Sequence, residues 1–348
     1  MSDAGPESKG AVNMRKRLFP LILAVAAVAF AGEGFKVISK IKIGGTGGWD
    51  YVAVDPDANR VYASHGSIVE VIDLKTGKVA GQIKQLRGVH GIAVAPEFGK
   101  GFITNGQSNS VTVFDLKTLA KVGEPQTGQN PDAVCFEPKT KRIFTFNGRS
   151  NDATVIDPKT NEVIKSIPLK GKPEACAVDG AGKLYVNLED ANQIVEIDAA
   201  KPAILRQASL APCEAPSGLA IDVRSRKLFS VCDNRTMAIT DIATLRVAGT
   251  TSIGAGPDGA GFDPGLGLAF SSNGGDGTLS IVKLMNGKYQ TVDTVTTERG
   301  ARTMTVDPKS HRVYLLATEY GPAPEGQGGK KGRPPVLPDS FHVLVVGK

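Results

Sequence analysis

The 348-residue chain lacks most of the short signatures that announce a chemistry. It has no C-x-x-C pair, which removes the usual zinc and thiol-redox motifs, and no C-x-x-C-H for haem attachment. No G-x-S-x-G turn is present, so the nucleophile elbow of the α/β-hydrolases is excluded. Beyond Gly32 no stretch sustains a helical period, which argues against any helical domain. The net charge of +6 is small for this length and says little about nucleic acid.

One apolar run does stand out. Arg15, Lys16 and Arg17 precede Leu18 to Ala29, and Ala29-Phe30-Ala31 supplies small residues where a signal peptidase needs them. The run falls short of the about 20 residues a bilayer span requires. Residues 1–31 therefore read as a secretory signal peptide cut before Gly32, and 32–348 as the mature domain. Cleavage removes Lys9, Arg15, Lys16 and Arg17 along with Asp3 and Glu7, leaving +4. Export places the protein in the periplasm or outside the cell, where disulfides are permitted.

What fills the rest is repetition. A short turn recurs at Asp55-Pro56, Ala95-Pro96, Glu137-Pro138, Asp179-Gly180, Asp222-Val223, Asp263-Pro264 and Asp307-Pro308, a period near 42 residues. Such a period marks a propeller, solenoid or array. Each copy carries runs of four to six β-formers bounded by Gly, Pro, Asn and Asp, as in Gly91-Ile92-Ala93-Val94, Gly101-Phe102-Ile103-Thr104 and Val111-Thr112-Val113-Phe114, with a weaker fourth around Lys121-Val122. The pattern predicts an all-β, seven-bladed β-propeller with four antiparallel strands per blade. The last copy lacks a fourth strand, and Phe35–Ile43 is a strand without a blade. Pairing it beside Phe341–Val346 closes the ring and removes an exposed edge. The recurring Asp-Pro-x-x-x-Arg and Asp-x-x-Thr aspartates serve turn geometry, and Gly77 and Asn161 fall where a left-handed residue fits.

At the end of the second strand the copies read Tyr62-Ala63-Ser64-His65, Phe102-Ile103-Thr104-Asn105, Phe144-Thr145-Phe146-Asn147 and Phe270-Ser271-Ser272-Asn273, followed downstream by Val-x-Val-Ile/Phe-Asp-x-x-Thr. In these motifs the chain resembles the YVTN/YncE-like β-propeller repeat family over residues 35–348. The resemblance implies an exported seven-bladed propeller; more distant relatives include lactonases and dehydrogenase propellers. Propellers host many functions, so activity must be argued from the site.

Aligning the loops that lead into each first strand places one residue per blade at the channel mouth: Asp50, His90, Asp132, Glu174, Ser217, Asp258 and Arg302. His65, Asn105, Asn147 and Asn273, from the loops leaving the second strands, are expected to join them. Asp50, Asp132, Glu174 and Asp258 are candidate ligands for Ca²⁺ or Mg²⁺, because convergent carboxylates suit hard cations. Recurrence of one residue type at equivalent positions favours the competing reading, in which these acids accept hydrogen bonds from loop amides and tie the blades together. Trp49 and Tyr320 are expected to pack the mouth. Cys213 and Cys232 lie where antiparallel pairing brings strand ends together and are expected to form a disulfide. Cys135 and Cys176 read as small buried hydrophobes. The Gly/Pro-rich stretch 321–339, with Lys330, Lys331 and Arg333, reads as a solvated loop over the same face. It carries no interleaved aromatics and so lends nucleic acid little support.

The chain is expected to be a monomeric, non-catalytic binding scaffold that presents its top face to a small molecule or envelope protein. The alternatives are a metal-assisted lactonase-type hydrolase, for which His90 and Arg302 would be base and oxyanion partner, and a partner in periplasmic redox metabolism.

Overall fold

A computed structural model describes residues 34–324, 332 and 334–348, together with 1, 4 and 5. Met1–Glu33 group as one unit and Gly34–Lys348 as another. The expected export signal lies almost wholly outside the described residues, as do Lys330, Lys331 and Arg333. Among the described residues no helix is long and apolar enough to cross a membrane.

The second unit consists of seven sheets, each of four antiparallel strands in ring order. Blade one runs Val52–Asp55, Arg60–His65, Ile68–Asp73 and Lys78–Ile83, and five further copies follow the same course. The first strands of all blades abut one another around the axis, and the fourth strands form the exposed outer rim. A short 3₁₀ turn, Pro96–Phe98, is the one helical piece among the described residues.

The turn aspartates act as their spacing suggests. Asp55 Oδ1 accepts from the amides of Asp57 (3.1 Å) and Ala58 (3.0 Å), and Asp73 Oδ1 from those of Lys75 (2.9 Å) and Thr76 (2.8 Å). These bonds satisfy amides that no ladder reaches. Gly77 and Asn161 adopt left-handed conformations, with φ of 65° and 64°.

The repeated aromatic of the second strand forms the core. Tyr62, Phe102, Phe144, Tyr185, Phe229, Phe270 and Tyr314 are all essentially buried. The hydrophobic clusters straddle neighbouring blades: Phe144, Phe146 and Val155 of blade three pack with Leu184, Val186 and Val195 of blade four. Burying a side chain of this size stabilises the fold by about 1.5–3 kcal/mol. No blade can bury both faces alone, which is why the ring must close.

Closure is made by the first strand among the described residues. Lys36–Lys42 pairs antiparallel with His342–Gly347, from Lys36 opposite Gly347 to Lys42 opposite His342, with one bulge at Ile38. It completes blade seven as its outermost strand. Phe35 inserts against Phe270 of blade six, with ring centroids 5.6 Å apart. The amides of Ile43 and Gly44 both donate to the Phe341 carbonyl, at 3.0 and 2.9 Å. Residues 321–339 connect the second and third strands of blade seven. Their base is pinned by Gly321 N to Pro335 O (2.8 Å) and by Asp339 N to Gly45 O (3.0 Å).

All four cysteines are paired. Cys213 and Cys232 lie within blade five, with Cα atoms 5.5 Å apart. The expectation that Cys135 and Cys176 are merely small apolar side chains is corrected: they bridge the first strands of blades three and four, Cα to Cα 6.4 Å. Periodicity within a blade does not reveal which residues of adjacent blades face each other. Two disulfides fit an oxidising compartment. Thiol titration of the denatured, non-reduced protein is expected to find no free thiol. Replacing Cys135 and Cys176 by Ser is expected to destabilise the ring by about 2–4 kcal/mol, read by denaturant unfolding. An unchanged midpoint, or titratable thiols, would contradict the pairing.

Candidate functional site

In five of the seven blades the first strand begins with a β-bulge, and the bulge aims the mouth residue. The register of first against second strand slips between Val89 and Ile92, Pro131 and Val134, Pro173 and Cys176, Pro216 and Leu219, and Pro257 and Gly259. His90, Asp132, Glu174, Ser217 and Asp258 sit in those slips, freed from the ladder.

Side chains of neighbouring blades hold this backbone in place. Thr104 Oγ1 donates to Asp132 O (2.5 Å), Asn187 Nδ2 to Ser217 O (3.0 Å), and Ser272 Oγ to Arg302 O. Thr303 Oγ1 of blade seven donates to Asp50 O (2.5 Å), carrying the chain of bonds across the closure, and the Asp50 amide donates to Ser64 Oγ (2.7 Å).

The side chains then meet at the axis. His90 Nδ1 lies 2.5 Å from Asp50 Oδ2 and 3.7 Å from Asp132 Oδ1. Arg302 pairs with Asp258 through Nε (2.8 Å), and its Nη2 lies 3.8 Å from Asp50 Oδ1. Lys172 bonds Glu174 (2.7 Å) and Glu189. Ser217 Oγ is engaged with Pro257 O at 3.1 Å.

Tyr51, which the alignment of mouth residues passes over, lies at the centre. It comes from blade one yet packs against the core of blades three and four. Its burial, followed by the charges of Asp132, Glu174, Asp50 and Asp258, holds the phenol well above its ordinary 10.0, so it stays protonated among four carboxylates. The signal was one position further along the alignment. The equivalents of Tyr51 are Gly91, Ala133, Ala175, Gly218, Gly259 and Thr303, all small. A β-carbon on Gly218 would come 2.5 Å from Asp258 O, so the tight ring admits one large side chain. Beneath Tyr51 a cavity of about 150 Å³ continues along the axis, lined by Ala133, Cys176, Leu219 and Met304.

The strand-exit residues go elsewhere. Asn105, Asn147 and Asn273 are buried inside their blades and bond the third strand: Thr112 (2.9 Å), Thr154 (2.9 Å) and Ser280 (3.0 Å). His65 is likewise buried, stacked on Phe341 at 4.1 Å with Glu70 3.6 Å away. These four are therefore not brought to the mouth, because the end of the second strand points into the sheet. Trp49 packs with Tyr320 and Phe341, at 6.5 and 6.1 Å between ring centroids. A larger cavity, about 730 Å³, lies on the rim between blades five and six beside Lys227, Leu284 and Tyr289. It holds none of the mouth residues, and the convergence of charge favours the axis as the functional site.

Crowding shifts the acids. Burial, then the charge of Asp50, pushes Asp132 up to about 7. Burial, then Asp132, pushes Glu174 up to about 8, outweighing Lys172. Burial, then the opposing pull of Arg302, leaves Asp258 at about 6. Burial alone would lower His90 and Lys172, but their carboxylate partners hold both above their ordinary values. Lys172 and Glu174 thus both move up. The lysine answers to two acids at its head, whereas the glutamate answers more to its buried setting and to Asp132.

No protein-family model matches the chain, and no curated protein matches it in sequence. Among solved structures it is similar to a chain of Kuenenia stuttgartiensis hydrazine synthase, with a TM-score of 0.67 and 19% identity, covering 79% of this chain and 93% of that one. At that identity the likeness shows the propeller fold alone.

A raised acid holds more protons folded than unfolded, so its stabilising contribution is full below about pH 4 and is lost as pH rises through 6 to 8. His90, raised above 6.5, adds in the same direction. In chelator-treated buffer, Asp132→Asn and Glu174→Gln are each expected to raise stability at pH 8 by about 1–3 kcal/mol and to change it little at pH 4. Urea unfolding at both pH values measures this; a loss of stability at pH 8 would contradict the assignment.

Proposed function

We propose that this protein is an exported, YncE-like propeller scaffold that binds a positively charged ligand, or such a group on an envelope partner, at the channel mouth. One observation carries the proposal: four carboxylates from four blades converge around the Tyr51 phenol. The protein bears an electrostatic cost to keep them there. Acids that served only as caps for loop amides would not need to face one another. A bound cation relieves the repulsion, and the low-dielectric ring strengthens its attraction. Arg302 beside Asp258 and Lys172 beside Glu174 are the cations available to any anionic group adjoining that charge.

The hydrolase reading has one observation in its favour, the short Asp50–His90 contact, which has the form of a carboxylate-oriented base. It is weakened by the hydroxyls around it. Ser217 and Thr303 both donate to backbone carbonyls and are not poised as nucleophiles.

Differential scanning fluorimetry with spermidine, arginine methyl ester and divalent chlorides tests the binding proposal. At least one such cation is expected to raise Tm in proportion to log concentration. The Asp132→Asn/Glu174→Gln double variant, itself folded, is expected to lose that response. Indifference to every cation, or an equal response in the double variant, sinks the proposal. Saturable lactone hydrolysis abolished by His90→Ala would replace it with the enzymatic reading.

A further inference from the structure

The mouth is not a uniform acidic ring. Asp50, His90 and Asp132 stand apart from the other members because their ligand-type atoms, two carboxylate oxygens and one imidazole nitrogen, all lie within 4.8 Å of one another. A single ion at about 2.0–2.2 Å from each ligand requires spacings of about 3.3–3.6 Å, close to the 3.7 Å between His90 Nδ1 and Asp132 Oδ1. The 2.5 Å Asp50–His90 hydrogen bond opens as its proton leaves. Glu174 and Asp258 are tied instead to Lys172 and Arg302.

A second observation points to a missing partner. Asp132 Oδ1 is shielded from solvent and accepts no hydrogen bond. His90 Nδ1 lies 3.7 Å away, beyond hydrogen-bonding reach. A buried carboxylate oxygen without a partner is destabilising, and this one belongs to the same cluster as the ligand-type atoms of Asp50 and His90.

The three positions are also fixed in advance. The Asp132 carbonyl is held by Thr104 and the Asp50 carbonyl by Thr303, each at 2.5 Å, and the Gly91 amide beside His90 donates to Thr104 Oγ1 at 2.7 Å. The far edge of the imidazole lies over Gly106, where any β-carbon would come 2.7 Å from Nε2. The ring therefore has a seat on one side and presents Nδ1 to the two carboxylates on the other.

We propose that Asp50, His90 and Asp132 form a site for one divalent transition-metal ion of the zinc type, held by one nitrogen and two oxygens with at least one position left open. This deepens the cation-binding proposal above and rests on it. The donor set decides the class of ion. Calcium takes six to eight oxygen ligands and magnesium keeps a near-octahedral shell of oxygens, whereas imidazole suits zinc, nickel, cobalt and copper. Three protein ligands with an open position is the arrangement that lets a metal exchange a further ligand. Entry of the ion displaces the proton between Nδ1 and Asp50, and the proton Asp132 carries in its protonated fraction, to bulk water, leaving neutral imidazole and two carboxylates as ligands.

The test uses the tag-free mature protein after chelator treatment, titrated calorimetrically with zinc chloride and separately with calcium chloride, with cobalt(II) absorption as a report on geometry. One equivalent of zinc is expected to bind, with no saturable calcium binding up to about 5 mM. His90→Ala and Asp132→Asn are each expected to weaken zinc at least about 30-fold, the scale of losing a ligand or its support. Both residues are partly exposed, and thermal unfolding checks that the variants fold. His311→Ala, which alters a histidine paired with Asp263 away from the mouth, is expected to leave the affinity unchanged. Equal zinc affinity in the His90 and Asp132 variants, calcium binding as tight as zinc, or no zinc binding at all would overturn the proposal. If zinc fails while spermidine or arginine methyl ester still binds in an Asp132-dependent way, the metal site falls and the broader cation-binding proposal stands. If neither binds, both fall.

Discussion

The pairing of Lys36–Lys42 with His342–Gly347 is the constraint on which the molecule depends. Each blade buries one face against the next, so a ring one strand short leaves an apolar edge and an unfilled wedge. The closing strand removes both, and Phe35 beside it fills the seam between blades six and seven. Closure also gives the mouth its geometry. Asp50 enters the cluster from blade one, yet its carbonyl is held by Thr303 of blade seven. The site is therefore continuous across the join between the two ends of the domain.

Convergence has an electrostatic cost, and the structure shows how it is contained. Protonation is the first means, since Asp132 and Glu174 are raised into the neutral range. Local counter-charges are the second, with Arg302, Lys172 and His90 each drawn to a different acid. Covalent restraint is the third. Cys135–Cys176 joins the two strands that present Asp132 and Glu174, so these like charges cannot relax by separating blades three and four.

Much of this was legible in the sequence, at the level where the repeat speaks. The period near 42 residues, the turn aspartates and the aromatic of the second strand predict the blade, and the stray strand at Phe35–Ile43 predicts its closure. The same alignment places His90, Asp132, Glu174 and Asp258 at the mouth, because equivalent positions in a symmetric ring share a radius. What it misplaces are residues whose roles depend on fine direction or on the neighbouring blade. Asn105, Asn147 and Asn273 share the position of a mouth loop but turn inward to the third strand. The partnership of Cys135 with Cys176 crosses a blade boundary that no local pattern marks. Tyr51 is hidden differently: it breaks the repeat, and only against six small equivalents does its size declare that it fills the axis.

Closure gathers these carboxylates into one desolvated, interacting set. Carbon-13 NMR of the side-chain carboxyls across a pH titration of the metal-free protein measures that directly. At least two carboxyl resonances, lost in Asp132→Asn and Glu174→Gln, are predicted to titrate together between about pH 6 and 8. Resonances from Asp132 and Glu174 that titrate independently near pH 4, like those of exposed acids, would contradict it.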